Sequence, residues 1–342
     1  MKLYKYATPD RLDILQNKTI RFTQPHLFND PFEISDTVAS LEDFDADQPL
    51  VRALLETPVG QTLFEMFDHG LSQGLKQYFS YQYGVLSLAG KADNLLMWAH
   101  YAKNHRGFVI EFDGEHPFFN RRKSDADRFR YPWKVAYSAN RPASSLKKYN
   151  AVEALLMKSV DWEYEQEWRM IVPVDEATKK IETDAEEVHL FAVPASCITA
   201  VILGCRMLAS DKGQITELLA ADDEYRHVIV RQADLDDKAF RLNLTESPLL
   251  HAQRATNATS AGDSTSAIEY ANLALECAAD TDKGRYYALR GYIYGRSGDN
   301  DRYLSDMQRF KELDEKGYWK MLGLDPTEEG ADAGSDDPAD DT

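Results

Sequence analysis

Two carboxylates separated by one residue, Glu165 and Glu167, stand just ahead of Arg169 in the segment "YEQEWRMIVP". As a β-strand this segment puts Glu165, Glu167 and Arg169 on one face and Gln166, Trp168, Met170 and Val172 on the other. Facing a cleft, a carboxylate row beside a guanidinium suits proton transfer or the stabilisation of developing positive charge. Facing solvent, the same row is a surface ion pair between Arg169 and Glu167, worth about 0–1 kcal/mol. The strand pattern accommodates both readings.

Two further segments mix aromatic and ionisable side chains. In "GVLSLAG", Val85, Ser87 and Ala89 share a face, so Ser87 is either satisfied structurally or turned to a cleft. The following helix-like stretch "DNLLMWAHYAKNH" carries Trp98, His100, Tyr101 and His105. Its two histidines are five residues apart and do not share a face well enough for a two-histidine metal pair, so no metal site is assigned there. The third segment, residues 3–33, holds Tyr4, Lys5, Tyr6 and Arg21 and ends in "FNDPFE". Pro31 forces Asp30 away from the helical region and Asn29 suits a turn. Phe28 and Phe32 can anchor both ends of that loop, leaving Asp30 and Glu33 on a rigid support. Asp30 is expected to line the cleft of Glu165 and Glu167 and to orient a ligand or a basic side chain, not to perform chemistry.

The elements that must position these residues are short and mixed. Residues 3–6 predict a strand, and Thr8-Pro9 opens a helix carrying Leu12 and Leu15 on one face. "TIRFT" alternates Ile20 and Phe22 against Arg21 and Thr23. Acidic and then helical patterns fill Ile34 to Tyr81. The "DNLLMWAHYAKNH" helix takes Asp93 as its cap and Gly107 beyond its end. "GFVIEFD", "ITAVILG" and "RHVIVRQAD" predict strands, and "NAVEALLMKSV" and "KGQITELLA" predict helices. Helices and strands alternate over residues 1–245 without a regular βαβ period, so the fold class expected is α+β. No GxGxxG or P-loop is present.

Composition sets the outer limits. The chain has 342 residues, 43% of them hydrophobic, and a formal net charge of −18. A balance so acidic argues against coating nucleic-acid backbone through the global field. The one basic segment, "NRRKSDADRFRYPWK" with Arg121, Arg122, Lys123, Arg128 and Arg130, reads first as a solvated loop. The three cysteines, Cys197, Cys205 and Cys277, form no CxxC pair, so neither a disulfide framework nor a zinc site is expected. There is no apolar leader at the N-terminus and no apolar run of membrane-spanning length, so the expected location is the cytoplasm and no membrane partner is expected.

After Pro248 the composition turns Ala-rich and helical. "SAGDSTSAIEYANLALE" aligns with "RSGDNDRYLSDMQRFKE", placing Gly262 over Gly298 at a period of 36 residues. That is close to the roughly 34 residues of tetratricopeptide repeats, which the segment resembles as one complete unit and one degenerate one. Fewer than three such repeats bury a continuous core with difficulty, so these helices are expected to dock on the first domain or on a protein partner. From Asp325 to Thr342 there are eight Asp or Glu and no Lys or Arg, a tail expected to be disordered. The division expected is an α+β domain over 1–245, a helical repeat over 247–322 and an acidic tail over 323–342.

Four segments in order, "LYKY", "IRFTQPHLFNDPFE", "VLSLAG…LLMWAHYAKNHRGFVIEFD" and "MKSVDWEYEQEWRMI", together resemble the prokaryotic family catalogued as domain of unknown function 2971, over roughly residues 1–210. That resemblance implies no established activity; it suggests a place in prokaryotic stress or phage defence. A more distant likeness is to ADP-ribosyltransferase-like domains, which carry a basic residue on a first strand, a Ser or Tyr on a second and a Glu, often in E-x-E or Q-x-E, on a third. Here Lys5 or Arg21, then Ser87, then Glu165-Gln166-Glu167 follow that order. Lys5 stands where the family has Arg or His, and Ser87-Leu88-Ala89 lacks the family's second serine.

That likeness implies NAD as substrate. Glu167 would stabilise the oxocarbenium-like ribose, Glu165 would orient the acceptor and Ser87 would support the site. Lys5 or Arg21 would hold phosphate, and Tyr4, Tyr6 or Trp98 would sandwich the nicotinamide ring. Two other classes remain open from the residues. One is a metal-dependent nuclease or hydrolase built from Asp30, Glu33, His100, His105 and Glu167. The other is a non-catalytic sensor or adaptor that binds a partner through the helical repeat.

Overall fold

The computed structural model describes residues 1–30, 80–125, 127–140, 155–183 and 186–323. These fall into two compact units, one of Met1–Lys212 with His227–Thr245 and one of Gly213–Arg226 with Glu246–Thr342. The N-terminal part is rich in sheet and the C-terminal part helical, an α+β chain as expected.

The strands, in chain order, are β1 (Lys2–Ala7), β2 (Thr19–Phe22), β3 (Tyr83–Ala89), β4 (Phe108–Asp113), β5 (Pro132–Lys134), β6 (Ala136–Ser138), β7 (Met157–Ser159), β8 (Glu167–Pro173), β9 (Lys179–Glu182), β10 (Glu187–Ala192), β11 (Ile198–Leu203), β12 (Ile229–Leu235) and β13 (Leu242–Glu246). Eight of them make one sheet in the order β13-β12-β11-β4-β1-β3-β8-β5. β11 and β12 run parallel; the pairs from β11 to β4, β1, β3, β8 and β5 are antiparallel. The strands β4 and β11 are largely apolar and buried, with Glu111 in the middle of β4 paired with Lys2 and Arg231. Phe108 to Phe112 on β4 and Ala200 to Leu203 on β11 are all buried. β2 alternates instead, burying Ile20 and Phe22, and belongs to a separate sheet β2-β10-β9.

One irregularity in the large sheet creates the space for a site. The register of β1 with β3 runs through a single partner pair, Tyr4 and Ala89, whereas β1 and β4 stay in register over six residues. Four residues before Ala89, Val85 exchanges both backbone hydrogen bonds with Thr23, just past the end of β2. Ser87 lies midway between these two neighbours, where the sheet parts. Its carbonyl accepts from the Lys5 ammonium at 3.0 Å.

Among the described residues two α-helices belong wholly to this unit, α1 (Asp13–Asn17) and α2 (Leu95–Tyr101). The α2 cap is Asn94, not Asp93: its side chain accepts from the backbone N–H groups of Leu96 and Met97. Its amide also donates to the carbonyl of Tyr164, so the cap ties α2 to the turn that carries Glu165. The helix stops at Tyr101 and Lys103, Asn104 and His105 follow in succession with φ of 49°, 54° and 66°. They lead to Gly107, where a Cβ would lie 2.1 Å from the carbonyl oxygen of Ala7. Only glycine allows the backbone to pass so close to β1.

Other expectations are corrected. Met157–Ser159 is a strand, β7, paired with β6, where a helix over "NAVEALLMKSV" was expected. The earlier part of that segment, the helices expected within Ile34–Tyr81 apart from its last residues, the Pro31–Glu33 end of "FNDPFE" and the tail from residue 324 lie outside the described residues. The basic segment is largely exposed, as a solvated loop should be, with Arg122, Lys123 and Arg128 at the surface. Arg121 stacks on Phe118, Arg122 on Tyr131, and Arg130 donates to both Asp127 and Glu176.

In the second unit α3 (Ala209–Ala221) contributes residues from Gly213 onward, and α4 (Leu249–Ser260), α5 (Ser264–Cys277), α6 (Lys283–Ser297), α7 (Asn300–Leu313) and α8 (Glu315–Met321) follow. Small residues let these helices approach: Ala255, Ala267, Ala271 and Ala274 are fully buried. Two of the turns between these helices share a geometry. Gly262 and Gly298, 36 residues apart, both adopt left-handed backbone with φ of 81° and 82°. After each, an aspartate, Asp263 or Asp299, caps the next helix through its side chain.

Candidate functional site

The parted sheet opens into a cleft of about 120 Å³. β1 contributes Tyr4, Lys5 and Tyr6, β3 contributes Ser87, and α2 contributes Met97 and Tyr101. Phe28 and Asn29 close one side. Lys158 of β7, Glu165, and Glu167 and Arg169 of β8 form the floor. Three cations against two carboxylates give this set one net positive charge.

The carboxylates reach the cleft by a route the strand pattern does not show. Glu165 is not on β8. It ends a 3-10 turn over Val160–Glu165, and Gln166 adopts left-handed backbone with φ 45° and ψ 49° before β8 begins at Glu167. That reversal sends both carboxylates to one place. The row is also buried, not solvent-facing: Glu165 and Glu167 are each 4% exposed and Arg169 1%. Holding a residue with a Cβ in the left-handed region costs about 1–2 kcal/mol, and such strain concentrates at functional sites. Replacing Gln166 by Gly removes that strain and is expected to leave the thermal midpoint unchanged or raised. Gln166→Val, β-branched in the same conformation, is expected to lose about 1–2 kcal/mol or more, read by denaturant titration.

The charges are matched in detail. Arg169 donates from Nε to Glu167 Oε1 at 2.8 Å and from Nη2 to Oε2 at 2.9 Å, a bidentate pair. Its Nη1 donates to the carbonyl of Leu155 at 2.6 Å, and Phe28 lies 5.0 Å from the guanidinium. Lys158 donates to Glu165 Oε2 at 2.7 Å and to Glu167 Oε2 at 3.2 Å. Tyr101 donates to Glu165 Oε1 at 2.6 Å, and the backbone N–H of Glu167 donates to the Tyr137 hydroxyl at 2.7 Å. Ser87 lines the same cleft beside the Glu167 carboxylate and helps to hold it ionised. Asn29 hydrogen-bonds Tyr101, so the loop after β2 is tied to the carboxylates through one phenol.

Electrostatics follow from these contacts. Burial alone would push the Glu167 carboxyl up; Arg169, Lys158 and Ser87 outweigh it and hold it at about 2. Burial, with Glu165 close by, keeps the Tyr101 phenol protonated far above its ordinary range, so it remains a donor. Lys5 is pushed down to about 8, first by burial and then by Arg11 and Arg21, against the attraction of Glu167. Between pH 8 and 10.5 the unfolded chain therefore holds a proton that native Lys5 has released, and stability rises with pH across that window. Relative to a Lys5→Met variant, wild type is expected to gain about 1–3 kcal/mol as pH goes from about 8 to 10.5, measured by paired denaturation curves.

Six of the residues proposed from sequence thus share one cleft: Tyr4, Lys5, Tyr6, Ser87, Glu165 and Glu167. Three do not line it. Trp98 is fully buried in the core, edge-on to Tyr6, with its indole N–H donating to the carbonyl of Ala92. Arg21 faces β10 and makes a bidentate pair with Glu186. Asp30 is buried directly after the cleft residues Phe28 and Asn29 but is not part of the lining. The alternative metal set does not assemble among the described residues. His105 stacks beside Trp98, His100 beside Tyr164, neither lines the cleft, and Glu33 lies outside the described residues. The sequence reading missed Lys158 and named Tyr101 without giving it a role in the site. Tyr101 had a signal, since it lies three residues after Trp98 and so near it on the same helix; Lys158 had none.

The model of the family described as protein of unknown function DUF2971 matches residues 97–170. That stretch takes in Tyr101, Tyr137, Lys158, Glu165, Glu167 and Arg169 but neither Lys5 nor Ser87. No curated protein and no solved structure matches the chain. No helix among the described residues is long and apolar enough to cross a membrane.

Proposed function

We propose that the cleft takes the nicotinamide-ribose end of NAD and breaks its N-glycosidic bond, passing the ADP-ribosyl group to water or to a nucleophilic acceptor. What supports this reading is the meeting of Lys5, Ser87 and Glu167, from the neighbouring strands β1, β3 and β8, in one cleft.

As the C1′–N bond breaks, its electron pair leaves with neutral nicotinamide and positive charge develops on the ribose. A carboxylate held at about 2 is ionised at any physiological pH and is placed to stabilise that charge. Glu165, fixed by Tyr101 and Lys158, would orient the acceptor. Lys5 would hold phosphate as a point charge. A cleft of about 120 Å³ is well below the roughly 300–1,000 Å³ that encloses most of a drug-sized ligand, so it suits one ring and its sugar, with the adenylate end outside. Tyr4, Tyr6 and Phe28 supply the aromatic wall.

One observation favours a second reading, a non-catalytic ligand sensor. Both oxygens of Glu167 are already engaged by Arg169, and one also by Lys158. A carboxylate so fully occupied holds a rigid pocket without needing to react. The deciding experiment incubates the full chain with NAD and measures free nicotinamide alongside equilibrium NAD binding. Release supports transfer chemistry, binding without release supports the sensor, and neither sinks NAD as the ligand.

A further inference from the structure

We propose that Glu246, His251 and Cys277, all in the second unit, form a binding site for a zinc-type divalent cation. The inference is independent of the NAD reading. It also departs from what cysteine spacing suggested, since Cys277 has no CxxC partner and its co-ligands lie 26 and 31 residues earlier.

The ligand atoms of the three side chains all lie within 4.8 Å of one another, and they are the single such group of three among the described residues. His251 Nε2 is 3.0 Å from Glu246 Oε1. The Cys277 sulfur lies within 4.8 Å of the same carboxylate. Two side chains thus converge on one carboxylate, where a cation would sit. Tetrahedral zinc with bonds of about 2.0–2.3 Å separates its ligand atoms by roughly 3.3–3.8 Å, so only small side-chain movements are needed. The second imidazole nitrogen, Nδ1, is buried and makes no hydrogen bond. The His251 side chain is 12% exposed, so water reaches it poorly.

Donor chemistry selects the ion. One thiolate, one imidazole and one carboxylate are a borderline-soft set, which favours Zn²⁺ over Mg²⁺ or Ca²⁺. On binding, the thiol proton leaves to solvent, the Nε2 proton of His251 is given up while Nδ1 takes one from solvent so that the imidazole stays neutral, and the His251–Glu246 hydrogen bond is replaced by metal–ligand bonds. Three protein ligands leave a fourth position for water or a ligand.

The position in the fold gives the ion a role. Glu246 ends β13, His251 lies in the first turn of α4, and Cys277 is the last residue of α5. α4 and α5 form a hairpin closed at Gly262; the three residues sit at its open end. A cation there staples the hairpin shut.

The test adds Co²⁺, and separately Zn²⁺, to the full chain after chelation. Expected are one equivalent of bound Co²⁺, a thiolate-to-cobalt charge-transfer band, and its displacement by Zn²⁺. The band is expected to vanish in Cys277→Ser and persist in Cys205→Ser. Zn²⁺ is expected to raise the unfolding midpoint of wild type by roughly 5–10 °C and that of His251→Gln by none. Absence of the band in wild type, or its survival in folded Cys277→Ser, overturns the site. If Cys277→Ser does not fold, His251→Gln decides: unchanged Co²⁺ affinity there overturns the proposal.

Discussion

Replacing Arg169 with Met is expected to destabilise the protein by about 3–5 kcal/mol, a large part of the roughly 5–15 kcal/mol that holds a typical domain together. Met conserves much of the side-chain volume, so the loss reports charge and hydrogen bonding more than a cavity. The variant leaves Glu167, 4% exposed, with Lys158 in contact and Lys5 in the same cleft but without its bidentate partner. It also strands the Leu155 carbonyl, to which Arg169 Nη1 donates at 2.6 Å. Thermal or urea unfolding measures the loss. Adding Glu167→Gln to Arg169→Met is expected to recover part of it, because removing both charges relieves the buried unpaired one. Strict additivity of the two single losses would show that the pair is not coupled.

The acid limb of stability carries the same signature. Glu167 is held at about 2 against an ordinary value of 4.5. Its contribution is complete above pH 4.5 and is lost as pH falls from 4.5 towards 2. Without Arg169 the carboxyl moves up, and acid unfolding of Arg169→Met is expected to begin at higher pH than in wild type.

The residues of this site were easier to name from sequence than to place. The α+β class was legible because β4 and β11 are largely apolar runs too short for helices, and because no βαβ period separates them. Glu165 and Glu167 were legible as a pair, but for the wrong geometric reason. Alternation on one strand predicted a shared face; what aligns them is a left-handed Gln166, and nothing marks a glutamine for that conformation as glycine or asparagine would be marked. Burial of the row was not legible either, since polarity predicts exposure unless the partner cations are known. Lys158 comes from β7, a three-residue strand whose pairing with β6 no local pattern encodes. Trp98 was placed in the site as an aromatic ring that could stack on nicotinamide, and the core took it because Ala92 offers its N–H a carbonyl acceptor inside. Glu246, His251 and Cys277 carried no motif at all, because their convergence depends on how α4 and α5 pair.

In Glu167→Gln, nicotinamide release from NAD is expected to fall by about 100- to 1,000-fold, the scale set by removing one preorganised electrostatic group from a transition state. Gln keeps the shape, and its carbonyl oxygen can still accept from Arg169. Its amide, however, faces Lys158 and Ser87 as a donor, and the negative charge is gone. The effect belongs in kcat more than in KM, because charge on the ribose develops only as the C1′–N bond breaks. A fall in NAD affinity with unchanged kcat would assign Glu167 to ground-state binding. Destabilisation is the obvious confounder, given how deeply the carboxylate is embedded. Assays well below the unfolding midpoint, with Gln166→Val as a destabilised control whose carboxylates are both intact, separate the two. If Gln166→Val keeps its turnover while Glu167→Gln loses it, the loss lies in the chemistry. If both fall together, the cleft needs its buried charge network as scaffold first, and the sensor reading gains.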